Sequence, residues 1–138
     1  MGYIQVALDE AQETQPVEEG QYPLVIAYVE EKESKAGSPM IVVGHEIEGE
    51  PNADMVYHYI VLPTEDDEPK TRNFKLLNLK RYLTLAGIPF DDSGFDTDEL
   101  LGTQFEGYLA KEEIEQEDPE APPAFRNVLK VPRISNEG

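Results

Sequence analysis

The order of its apolar runs is what most limits the folds open to this chain. Three β-rich runs come first: Tyr22 to Glu31 (YPLVIAYVEE), Met40 to Ile47 (MIVVGHEI) and Met55 to Leu62 (MVYHYIVL). Each is dense in β-branched and aromatic residues, the side chains that fit a pleated, half-buried surface. One helix follows over Thr71 to Ala86, where Leu76, Leu79, Leu83 and Ala86 recur at three- and four-residue spacing and so share a face. Gly87 and Pro89 stop it. Two more strands cover Gln104 to Ile114 and Phe125 to Ile134. The joints are polar or turn-forming: KESKAGSP, EGEPNAD, TEDDEP, an acidic loop from Phe90 to Leu101 with a turn at DELLG, and a solvated EQEDPEAPP.

Three strands, a helix, then two strands predict a mainly β domain. The specific expectation is a five-stranded Greek-key, OB-fold-like barrel with the helix between the third and fourth strands. Residues 1–20 read as an acidic, loosely ordered arm in which Tyr3, Ile4 and Val6 are the apolar exceptions. The domain proper is expected over 21–135, with 136–138 as a tail. A turn centred between Pro51 and Asn52 pairs Ile41 with Leu62, Val43 with Ile60 and Ile47 with Val56 on a core face. The opposite face then pairs Val42 with Val61, Gly44 with Tyr59 and Glu46 with Tyr57, which puts both tyrosines outside.

Composition removes several function classes. Net charge is −18, from 29 acidic and 11 basic residues, which opposes passive adhesion to DNA or anionic lipid. The charge is segregated, however. Lys70 to Phe90 holds Lys70, Arg72, Lys75, Lys80 and Arg81 and no acid; Ala121 to Asn136 holds Arg126, Lys130 and Arg133 and no acid. The chain has no Cys, so thiolate metal sites and cysteine nucleophiles are excluded. No apolar run is long enough for a membrane span, and MGYIQVALDEAQ lacks the pattern of a signal peptide; a cytoplasmic protein is expected.

Four segments together resemble a known family: EEKESKAGSPMIVVGHEIEG, VYHYIVL, FKLLNLKRYLTLAGIP and DELLG. The family is a group of small phage-encoded proteins described as single-stranded-DNA-binding or replication-associated, long held as a domain of unknown function. The resemblance spans about Tyr22 to Arg133. It implies an OB-like fold and a role with single-stranded DNA in phage replication or recombination, in the host cytoplasm.

Single-strand binding needs cations along the phosphates and flat side chains for the bases. In an OB-fold these come from the face of the second and third strands and from the loops joining strands one–two and four–five. That points to Lys32 and Lys35 in the first loop and to Tyr57 and Tyr59 on the face. Arg126 and Lys130, alternate residues of the fifth strand, and Tyr108 and Lys111 on the fourth complete the expected groove. A tyrosine that merely covers a glycine is an even competitor at each position. The basic helix face reads as balancing the acidic loops.

No catalytic site, metal or cofactor is expected. His45 and His58, the only histidines, fall opposite each other on the inward face, but a metal site wants a third ligand; two partly buried histidines at a barrel end are the favoured reading. EDDE and EQED lie in solvated loops rather than on rigid strands, and no phosphate-loop, nucleophile-elbow or zinc-protease motif is present. The expected partner is single-stranded DNA, with replication or recombination proteins beside it; monomer and homodimer both stay open. Two other readings compete: an adaptor within a phage replisome with weak DNA contact, and an acidic DNA mimic that inhibits a DNA-binding enzyme.

Overall fold

A computed structural model describes residues 2–134, so the expected tail at 136–138 lies outside the described residues, as does the last residue of the expected domain. Strands β1 (Gly20–Glu33), β2 (Pro39–Ile47) and β3 (Val56–Val61) precede helix α1 (Pro69–Ala86). After it come β4 (Phe90–Asp91), β5 (Gly94–Phe95), β6 (Gln104–Ile114) and β7 (Ala124–Lys130). The chain is mainly β, with five strands in one antiparallel sheet in the order β3-β2-β1-β6-β7. The two edges, β3 and β7, approach within 8 Å between Cα atoms, but no ladder joins them and the sheet does not close into a barrel. No helix among the described residues is long and apolar enough to cross a membrane.

β1 is the spine. Gly20 to Val25 pair with β6 and Leu24 to Glu33 with β2, and a bulge just past the β6-paired stretch interrupts the β2 ladder. Ile26 faces His45 and Tyr28 faces Gly44, so Ala27 is one residue in excess. An extra residue reverses the alternation beyond it: Ile26 is buried inside, while Tyr28 points out and Val29 returns to the core.

The inner face carries Leu24, Ile26, Ile41, Val43, Val56, Ile60, Leu109 and Leu129, and Tyr82, Leu83 and Ala86 of α1 close over it. Gly107 is needed for that packing, since a Cβ there would lie 2.8 Å from both Leu24 Cδ1 and Leu129 Cδ1.

Several expectations change. The β2–β3 ladder pairs Ile41 with Ile60, Val43 with His58, Val42 with Tyr59 and Gly44 with Tyr57. The pairing is therefore displaced by two positions from Ile41–Leu62 and Val43–Ile60, because the turn begins earlier, at Gly49 with φ +81°. Asn52 and Asp54 are drawn off to the arm, where Gln15 N–H donates to Asn52 O and Asp54 N–H donates to Gln15 O, each at 2.9 Å. A two-position shift preserves which side chains share a face, so the tyrosines still point outward. His45 is opposite Val56, not His58.

The arm is not loose over its second half. Val17 packs on the core, and its N–H and C=O bond the Asn127 side chain at 2.8 and 2.9 Å. Residues 12–18 thus cross the gap between the two sheet edges, while Tyr3, Ile4, Val6 and Leu8 remain exposed.

The helix starts at Pro69, whose fixed φ suits a first helical position, and ends at Gly87, φ +72°. Leu76 is 42% exposed rather than core, and the fully buried residue is Tyr82. Only the last turns of the helix carry its buried residues. The acidic loop after it contains the β4–β5 hairpin, turned by Asp91, whose Oδ1 accepts from Ser93 N–H, Ser93 Oγ–H and Gly94 N–H. The last strand ends at Lys130, before Pro132, which has no N–H to donate.

Candidate nucleic-acid interface

The outer face of β1, β2 and β3 holds a tyrosine cluster. Tyr28, Tyr57 and Tyr59 are 40%, 47% and 59% exposed. Tyr28 and Tyr57 meet edge to face, with ring centroids 6.3 Å apart at 85°, a favourable quadrupolar geometry. Both lean over Gly44, where a Cβ would lie 2.6 Å from Met55 Sδ, 3.0 Å from Tyr28 Cβ and 3.2 Å from Tyr57 Cε1. Tyr57 is therefore partly a glycine cover. Tyr59, opposite Val42, stands freer. The Tyr28 hydroxyl donates to the Glu30 carboxylate, and that bond to an anion raises the Tyr28 pKa.

Lys32 lies opposite Met40 on this face, at the end where the chain turns. Lys35 is exposed in the Ser34–Ser38 turn, closed by Ser34 N–H to Ser38 O at 2.7 Å and Ser38 N–H to Ser34 Oγ at 3.1 Å. Lys32 and the two expected tyrosines thus share the outer side of the β1–β3 sheet, and Lys35 stands in the turn at its end.

The remaining expected residues fall elsewhere. Tyr108 and Lys130 are paired across β6 and β7. Lys111 points to the other face, where Nζ is 2.8 Å from Glu18 Oε1 and 5.1 Å from the Phe125 ring centre. Arg126 lies 3.8 Å from Glu112. A groove of about 1280 Å³ runs along the two free sheet edges and brings Arg126 and Phe125 toward Tyr57 and Tyr59. Its other walls include Glu46, Glu50, Asp54 and Glu112, so it is acidic.

Sequence reading missed Tyr28 because the bulge is not visible in residue alternation. It placed His45 and His58 inward, as found, but missed Tyr82, which joins them in a polar cluster under the sheet. His45 is fully buried; its Nδ1–H donates to Val56 O at 2.8 Å, so Nε2 accepts from the Tyr82 hydroxyl at 2.7 Å. His58 stacks on the Tyr82 ring at 5.0 Å and 13°. Burial, then the nearby His45, pushes the His58 pKa down to about 4, and burial lowers His45 and raises Tyr82. Every polar group of the His45–Tyr82 pair is used internally, and no group of three or more metal-ligating side chains converges among the described residues.

Comparison with curated proteins finds no match. Residues 4–128 match the family model described as "Protein of unknown function (DUF669)", and the chain belongs to that family.

Proposed function

We propose that this protein binds single-stranded DNA across the outer face of β1–β3, as an OB-type domain acting in phage DNA replication or recombination. The observation that carries the reading is the exposed cluster of Tyr28, Tyr57 and Tyr59 beside Lys32 and the Lys35 turn. Flat rings next to cations are what sequence-tolerant single-strand binding requires. The strand order supports it, because pairing β3 with β7 would make it a five-stranded Greek-key barrel with its ligand face on these strands. The family resemblance of the SKAGSPMI and AGIP segments supports the same assignment.

A second reading rests on the groove between β3 and β7. Its four carboxylates against Arg126 suit a basic protein segment better than a phosphate chain, which favours an adaptor role at that edge.

Titration of fluorescent oligo(dT) and of a matched duplex at low salt separates the two. Preference for the single strand, weakened about fivefold or more by Tyr59→Ala, is the expected result. Equal binding of both forms, or none, refutes the single-strand reading and leaves the adaptor role.

A further inference from the structure

The β1–β2 turn and the start of α1 are fastened together by Lys75. Its Nζ bonds the Asp67 carboxylate at 2.9 and 3.1 Å and the Ser38 hydroxyl at 3.3 Å. The Asp67 carboxyl is held below the usual range by Thr64 N–H and by Lys75. The turn that carries Lys35 therefore abuts the helix, which covers the inner face of the sheet, and follows the strand end at Lys32 on the outer, tyrosine-bearing face.

That helix has an unpartnered outward ridge. Lys70, Phe74 and Arg81 lie at four- and seven-residue steps on one line, Arg81 half-buried, and Lys80 projects roughly 100° round the helix from Arg81. Phe74 is 63% exposed and Lys70 and Lys80 are exposed. No ion pair engages Lys70, Lys80 or Arg81 among the described residues, whereas Lys75, Lys111 and Arg126 each have a carboxylate. Arg81 Nε is buried without an acceptor. The nearest acids in sequence, the run Glu65 to Glu68 before the helix and Asp91 and Asp92 after it, flank the helix, and none lies on it. In a chain of charge −18, an acid-free helix that presents cations and an exposed ring has its natural complement in an anion with aromatic groups.

We infer that single-stranded DNA leaving the tyrosine face continues past the Lys35 turn and over α1, with Lys70, Lys80 and Arg81 on its phosphates and Phe74 stacked on a base. This rests on the single-strand reading above and assigns the helix, rather than β6 and β7, as the second half of the track.

Two lengths of oligo(dT) test it, one of about 6 nucleotides that fills only the tyrosine face and one of about 25 that spans both. The double variant Lys70→Glu/Lys80→Glu should weaken the long oligonucleotide about tenfold or more and flatten its salt slope by about 1.4, since each single-strand phosphate contact contributes about 0.7. Phe74→Ala should weaken the long one about fivefold or more. Neither change should alter affinity for the short one, and at about 0.1 M salt, where self-repulsion is screened, neither should move the melting temperature much, as none of these side chains is buried. Unchanged long-oligonucleotide binding in both variants, while Tyr59→Ala weakens both lengths, overturns the helix track and leaves the single-strand reading standing. Equal losses at both lengths overturn the track as well, because they report only a change of overall charge. No binding by the unaltered protein at either length overturns both.

Discussion

Tyr57 and Tyr59 point the same way but are held differently. Tyr57 roofs Gly44 together with Tyr28 and Met55, so Tyr57→Ala should cost about 1 kcal/mol of stability as well as affinity. Tyr59→Ala should cost within about 0.5 kcal/mol and act on affinity alone; thermal melts beside oligo(dT) titrations check this, and a larger loss of stability for Tyr59→Ala would reverse the assignment. That both point outward was legible in the alternation of VYHYIV, because a displacement by two positions leaves parity unchanged. Tyr28 was not legible, since its direction depends on one surplus residue, Ala27. Beneath the sheet, the lowered His58 pKa makes a second prediction. Its neutral form is favoured by folding, so its contribution is present above about pH 6.5 and is lost as pH falls toward about 4. Each pH unit in that window removes up to about 1.4 kcal/mol. His58→Phe, which keeps a ring over Tyr82, should flatten the fall in unfolding free energy between about pH 6.5 and 5; an unchanged slope would mean that His58 is not held neutral.

At the scale of elements, the strands and the helix were readable because each has its own apolar period, and the interruptions were readable because Gly, Pro and acids mark them. The arm was not. Residues 12–18 are held mainly through backbone groups, by Asn52 and Asp54 before β3 and by Asn127 on β7, and backbone pairing leaves no mark on composition. Asn127 is the keystone: it bonds Val17 N–H and C=O, and its Nδ2 also donates to Ala110 O at 3.2 Å. Asn127→Ala should therefore cost about 2–3 kcal/mol, because it strands several largely buried polar groups. Removal of residues 2–11 should leave the melting temperature nearly unchanged, and removal of 2–18 should lower it about as much as Asn127→Ala. If the shorter deletion already unfolds the protein, the exposed Tyr3–Leu8 segment has a structural role absent from this fold. The helix shows the opposite limit of sequence reading. Its leucine spacing was legible, but Leu76 is exposed and Tyr82 buried, because only its later turns meet the sheet.

The whole molecule sets two electrostatic effects against each other. Its −18 charge must be held within one small domain, and the three ion pairs found among the described residues offset little of it. Two of those pairs are substantially exposed, and exposed pairs contribute roughly 0–1 kcal/mol each. Self-repulsion should therefore exceed attraction in the folded state at low ionic strength. Raising salt from about 0.01 to about 0.1 M shortens the screening length from about 30 to about 10 Å, which relieves repulsion between the acidic loops and the arm. The melting temperature should rise over that range. Affinity for single-stranded DNA should fall over the same range, because phosphate contacts exchange with salt cations, and with Lys32, Lys35, Lys70, Lys80 and Arg81 as contacts the logarithmic slope of a long oligonucleotide is about −3.5. Opposite responses in one protein follow from charge that is repulsive overall and attractive at one surface. A melting temperature that falls with salt would show instead that ion pairs hold the fold, and the acid-free Lys70–Phe90 stretch would then be bound up internally rather than presented to a ligand.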